Sequence, residues 1–161
     1  MNKSIIRNWN SRVKPEDTVF VVGDFCFRNT SDRRGEGIPL PATHWEKQLN
    51  GKIIHVRGNH DKNNGVKTII RNLVIAFGGR VVRLVHKPEH VDFTYPVHFT
   101  GHVHEKWKYK RIYEAELYPE ERFNSKRYVD CINVGVDQNR FMPISFDEAI
   151  KGYNKWRKNG N

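Results

Sequence analysis

Four short segments of this 161-residue chain end in side chains of the kinds that bind divalent metals. The first is Gly23-Asp24 and the second Arg57-Gly58-Asn59-His60-Asp61. The third is a single His86, and the fourth is Gly101-His102-Val103-His104. Taken singly, each has an ordinary explanation. A Gly-Asp pair usually makes a turn, and Asn-His-Asp after a strand usually makes a turn or a helix cap. His86 alone reads as a strand-end histidine. His102 and His104, two residues apart in an extended segment, share a face and can reach the same or adjacent cations. Taken together, they suggest carboxylate, amide and imidazole donors gathered from distant parts of the chain.

The segments before these residues explain how they could meet. Thr18–Val22, Ile53–Val56, Val81–Val85 and Val97–Thr100 are short and rich in β-branched or aromatic residues, and Cys131–Val134 is a fifth candidate strand. Residues 19–22 and 81–85 are nearly continuous apolar runs, as in strands covered on both faces. Ile5, Ile6, Trp9 and Val13 share one face of a helix over residues 4–13. Ala42, Trp45 and Leu49 predict a second helix, ended by Asn50-Gly51. Ser145 with Glu148 has the form of a capping box that starts a third, carrying Phe146, Ala149, Ile150 and Tyr153. Strands interspersed with helices predict a layered α/β domain over residues 1–161. In such sheets ligands bind beyond the carboxyl ends of the strands, where all four segments fall. Residues 28–41 and 114–126 read as loops.

Lys and Arg number 28 against 18 acids, a formal charge of +10. This favours anionic partners: phosphorylated small molecules, nucleotides or nucleic acid. No apolar run approaches the ~20 residues needed to span a bilayer, and the N-terminus has no apolar stretch like that of a signal peptide. The expectation is a cytoplasmic protein without membrane contact, with Cys26 and Cys131 reduced. After His104, period-two alternation sets Lys106, Lys108 and Lys110 against Trp107, Tyr109 and Arg111. That is either a half-buried strand with a solvated basic face, or a basic rim in which Lys106 and Lys108 bind substrate phosphate. His44, His55, His90 and His98 read as structural or surface residues.

The ordered motifs Gly23-Asp24, Gly58-Asn59-His60-Asp61, His86 and Gly101-His102-Val103-His104 resemble those of calcineurin-like metallophosphoesterases. The stretches Trp9-Asn10 through Asp17 and Asn133-Val134-Gly135-Val136-Asp137 are similar to parts of small bacterial and phage members. The resemblance implies a layered αββα sandwich and hydrolysis of a phosphodiester or phosphomonoester by a hydroxide held on divalent metal. It implies that Asp24 bridges two ions, that Asn59, His86 and His102 complete one site, and that His104 belongs to the other. His60 is then a general acid or transition-state stabiliser oriented by Asp61. Donors of these kinds without thiolate suit Mn, Fe or Zn.

Members of that family begin with a strand ending in Asp-X-His, which is found nowhere in this chain. The expected fold therefore lacks its first strand, and one metal site keeps only Asp24 and His104. Three explanations stand open: a shortened form of a longer enzyme, a natural short member with one strong metal site, or an oligomer in which another subunit covers the gap. A degenerate member that binds metal and an anion without turnover is the alternative to an enzyme.

Overall fold

In the computed structural model, residues 2–26, 40–120 and 126–160 are described. In chain order the elements are α1 (Asn2–Asn10), β1 (Thr18–Val22), α2 (Ala42–Glu46), β2 (Lys52–Val56) and α3 (Asp61–Asn64). Then come β3 (Asn72–Phe77), β4 (Arg80–Val85), β5 (Val97–Thr100), β6 (Tyr109–Tyr113), α4 (Glu114–Leu117), β7 (Tyr128–Asn133) and α5 (Phe146–Lys158). The chain is thus α/β, as its alternating patterns predict.

β1 and β2 pair in parallel, Thr18 opposite Lys52 and Val22 opposite Val56. The other strands form one sheet in the order β3-β4-β5-β7-β6, with β4, β5 and β7 parallel and β3 and β6 antiparallel at its edges. The predicted double covering holds only in part. β1 and β2 begin at exposed Thr18 and Lys52, are half-buried through their middles and become buried only at Val22 and Val56. Val81 in β4 is 47% exposed. Burial is deepest at the C-terminal ends, which is where rigidity is needed to hold a site.

One face of the larger sheet is covered by α5. Ala149, Ile150 and Tyr153, at helical spacing, pack against Leu84, Phe99 and Ile132. Ser145 and Glu148 form the expected capping box: the Ser145 hydroxyl accepts from the Glu148 amide at 3.3 Å, and Glu148 accepts from the Ser145 amide at 3.0 Å. Trp9 fastens α1 to the start of β2 through its indole N–H, which donates to the Asn50 carbonyl at 2.9 Å. Asn50 Nδ2 returns a bond to the Val13 carbonyl at 3.0 Å.

Several sequence expectations need correction. α1 ends at Asn10, and Val13 is buried beyond it. α2 ends at Glu46 and a turn carries the chain to Leu49. The strand expected at 131–134 begins earlier, at Tyr128. Within 114–126, residues 114–117 are helical, and 121–125 lie outside the described residues, as does most of the expected loop at 28–41. The alternation after His104 starts late, because residues 104–106 form a 3-10 turn. Tyr109 and Arg111 face α5, where Tyr109 stacks on Trp156 and Arg111 grips Asp130 at 2.8 and 3.0 Å. Trp107 joins a different apolar cluster, around Val85 and Val129. Neither Cys26 nor Cys131 is in a disulfide. Among the described residues no helix is long and apolar enough to cross a membrane.

Candidate metal centre

The tips of β1, β2, β4 and β5 meet at one point. Gly23 and Gly58 make this possible. A Cβ on Gly23, whose φ is +81°, would collide with the His86 ring, and one on Gly58 would collide with the Asp24 carboxylate. Only glycine lets these loops approach so closely. Beyond them, Asp24 (φ 52°), His102 (φ 68°) and His104 (φ 48°) take left-handed backbone conformations that non-glycine residues seldom adopt. Such strain collects where a side chain must be aimed.

One ligand atom each from Asp24, His86 and His102 lies within 4.8 Å of the others. His86 is 4% exposed and is the centre of the group. Its Nδ1–H donates to the Val22 carbonyl at 2.9 Å, which leaves Nε2 as the lone-pair nitrogen of the neutral ring. That Nε2 faces two oxygens, Asp24 Oδ2 at 3.1 Å and Asn59 Oδ1 at 3.0 Å. Three acceptors pointing at one another are stable only around a cation, either a proton on Nε2 or a metal ion. The titration of His86 reflects this. Burial pushes its pKa down, but the hydrogen bonds with Asp24 and Val22 outweigh burial and the net shift is upward. Asp24 moves the other way: burial raises it, while His86 and the His60 amide bring it below the usual range. His102 meets the His86 ring edge-on at 5.0 Å, and burial, then His86 and Lys87, lowers its pKa, favouring the neutral form that a metal ligand needs.

Asp61, 1% exposed, joins the loops. Its carboxylate accepts from the amides of Gly58 at 2.6 Å, Asp24 at 3.1 Å and Phe25 at 3.1 Å. Its expected role is to orient His60; the bonds shown give it a structural role, clamping β1's loop to β2's. His60 is exposed at the start of α3, and its amide donates to Asp24 Oδ1 at 2.9 Å, which puts it beside the cluster.

The remaining expectations divide. His104 is not brought into the cluster: it is exposed, with Nδ1 3.0 Å from Asp137 Oδ2. Its loop is pinned by Asn133, whose Nδ2 donates to the carbonyls of His104 at 2.6 Å and Trp107 at 3.0 Å. Lys106 is exposed at the end of the 3-10 turn. The Lys108 Nζ, expected at a phosphate, donates to the Gln138 carbonyl and Asn139 Oδ1. His90, read as structural or surface, lines a cleft that opens beside Asn59 and His86 and also includes Arg57, Arg71 and Lys87. Of these cations, Lys87 carried a signal in the sequence, directly after His86. Arg71 had none.

No protein-family model matches the chain. It is 33% identical over 153 residues to the uncharacterized protein MJ1445 of Methanocaldococcus jannaschii, an alignment covering 94% of this chain and 74% of that one. Among solved structures it is similar to the protein of unknown function AQ665 from Aquifex aeolicus, with a TM-score of 0.58 and 23% identity over 93% of this chain and 83% of the other. The latter similarity is one of fold.

Proposed function

We propose that this chain, which belongs to the same family as the uncharacterized archaeal protein MJ1445, is a metal-dependent phosphoesterase. The observation that carries the reading is the lone-pair Nε2 of His86 set between Asp24 Oδ2 and Asn59 Oδ1, with His102 alongside. Asp24, Asn59, His86 and His102 would hold a divalent ion, Mn, Fe or Zn by the chemistry of their donors. When bound, such an ion would polarise a phosphoryl oxygen and acidify a water. The layered αββα sandwich of calcineurin-like enzymes belongs to this reading, in keeping with the sheet order and the covering helix α5.

The chain's own residues divide the remaining work. The Val22 carbonyl fixes the His86 tautomer, so that Nε2 would be the atom available to an ion. Asp61 holds the loops in register through three backbone amides. His60, exposed and with its backbone amide bonded to Asp24, would donate a proton to the leaving alkoxide. The substrate would be a phosphodiester or phosphomonoester, of nucleotide or nucleic-acid kind given the charge of +10.

A second reading, metal and anion binding without turnover, is favoured by one observation: His104 stands with Asp137, apart from the cluster, so a second ion would have few protein ligands. The two readings separate on metal content per chain and on hydrolysis of bis-p-nitrophenyl phosphate and p-nitrophenyl phosphate with added Mn²⁺. Turnover that disappears in Asp24→Ala and His60→Ala supports the enzyme. One tightly held ion without turnover rejects it in favour of the binding protein.

A further inference from the structure

The loops that present the cluster to solvent also carry unneutralised cations. Arg57 immediately precedes Gly58-Asn59, and Lys87 immediately follows His86. Arg71 is drawn to the same wall because the Arg57 amide donates to the Ile70 carbonyl at 2.7 Å. With His90 these residues line a cleft of about 310 Å³ whose wall includes Asn59 and His86. That volume is at the low end of the ~300–1,000 Å³ of small-molecule sites.

What marks the cleft is that three cations without counter-charge share one wall with Asn59 and His86. Four other arginines are paired, Arg12 with Glu148, Arg83 with Asp92, Arg111 with Asp130 and Arg127 with Glu114. Arg7, Arg80, Arg140 and Arg157, without ion pairs among the described residues, do not line this cleft. Among the described residues Arg57, Arg71 and Lys87 make no ion pair. Glu89 lies close enough to act on His102, and Lys87 opposes it there. Like charges gathered without partners raise the energy of the empty site, and an anion that enters relieves it. Guanidinium groups match the oxygens of a phosphate two at a time. A larger hollow, about 450 Å³ on α5, also has lysines, Lys151, Lys155 and Lys158, but among the described residues no ligand cluster lies beside it.

We propose that the Arg57–Arg71–Lys87–His90 cleft anchors a second, non-reacting phosphate of the substrate. The inference rests on the phosphoesterase reading for what happens at the cluster. It narrows the substrate class to molecules with two phosphates near each other, such as a nucleoside diphosphate unit or a nucleic-acid strand, over simple monophosphates.

The test measures binding on chelator-treated protein, so that it does not depend on turnover. Titration calorimetry with ADP and AMP, and anisotropy with a fluorescein-labelled single-stranded 12-mer, would be run on wild type, Arg71→Ala/Lys87→Ala and Lys151→Ala/Lys155→Ala. In wild type, ADP or the strand should bind at least tenfold tighter than AMP. That preference should vanish in the cleft variant and persist in the α5 variant. If the strand is the ligand, its log Kd against log salt slope should fall by about 2 in the cleft variant, near one unit per phosphate contact removed. Loss of the ADP preference alone assigns a small molecule, and loss of strand binding alone assigns nucleic acid. Equal binding of AMP, ADP and strand in wild type, or equal losses in the two double variants, would overturn the inference. Turnover of bis-p-nitrophenyl phosphate with no effect of the cleft variant on binding sinks this inference and leaves the enzyme standing. Cleft-dependent binding without turnover does the reverse.

Discussion

Asp61 and Asp24 lie on different loops and are laced together in both directions. Asp61 Oδ2 accepts the Asp24 amide at 3.1 Å, and Asp24 Oδ1 accepts the amide of His60, the residue before Asp61, at 2.9 Å. The Asp24 carboxylate is therefore aimed by backbone bonds that need the buried Asp61 carboxylate. Asp61→Ala would leave three amides without their acceptor. It should cost about 3 kcal/mol in urea unfolding of the chelator-treated protein, taking roughly 1 kcal/mol or more per lost bond. It should also weaken Mn²⁺ binding, although Asp61 is not a ligand. Unchanged affinity would show that the clamp does not matter to the site.

His60 and Asp24 should fail differently. His60→Ala removes an exposed ring and leaves the backbone bond to Asp24 in place, so metal content and thermal midpoint should hold. Its kcat should fall by about 10²–10⁴. Asp24→Ala should lose metal and activity together. Metal analysis beside steady-state kinetics separates the two, and a His60→Ala variant of full activity would remove it from the mechanism.

Much of this arrangement was legible in the sequence because β-branched runs followed by glycine and a polar donor leave few alternatives. β1 and β5 match their predicted bounds. β3 was missed although Gly78-Gly79, with φ of 55° and 71°, makes the tight turn that joins it to β4. β6 starts later than alternation placed it, because a 3-10 turn at 104–106 absorbed residues assigned to a strand, while Tyr109 and Arg111 keep the expected shared face. Lys108 showed only its charge, and its ties to Gln138 and Asn139 come from a segment thirty residues away. Arg71 joins the cleft through the Arg57–Ile70 bond, a contact of tertiary structure with no local signature.

Metal and proton should compete for His86. Its folded pKa lies above the ordinary ~6.5, so the imidazolium stabilises the metal-free protein below that value, and this contribution is lost as pH rises through the folded pKa. A metal must displace that proton. Mn²⁺ affinity should therefore rise by about tenfold per pH unit on the acidic side of the folded pKa and level off above it. Calorimetry from pH 5.5 to 8.5 reads the slope, and a flat profile would mean that His86 is not a ligand.

His98 should govern acid stability away from the site. It is fully buried and its Nε2 accepts the Asp92 amide at 3.1 Å, and burial, reinforced by Arg83, pushes its pKa down to about 4. The unfolded chain takes up this proton near pH 6.5 and the folded one only near 4. Its contribution is thus present above about pH 6.5 and is lost as pH falls towards 4, at up to about 1.4 kcal/mol per unit. Denaturant melts of chelator-treated wild type and His98→Gln should show the slope flattened in the variant. Identical slopes would assign the acid sensitivity elsewhere.

The most direct measurement is anomalous diffraction from crystals grown with Mn²⁺ or Zn²⁺. One strong peak is expected about 2.0–2.3 Å from Asp24 Oδ2, Asn59 Oδ1, His86 Nε2 and a ring nitrogen of His102, with His86 Nδ1 still bonded to the Val22 carbonyl. A map with no peak there, and with His86 Nε2 still held directly by the two oxygens, would contradict a metal centre at this cluster.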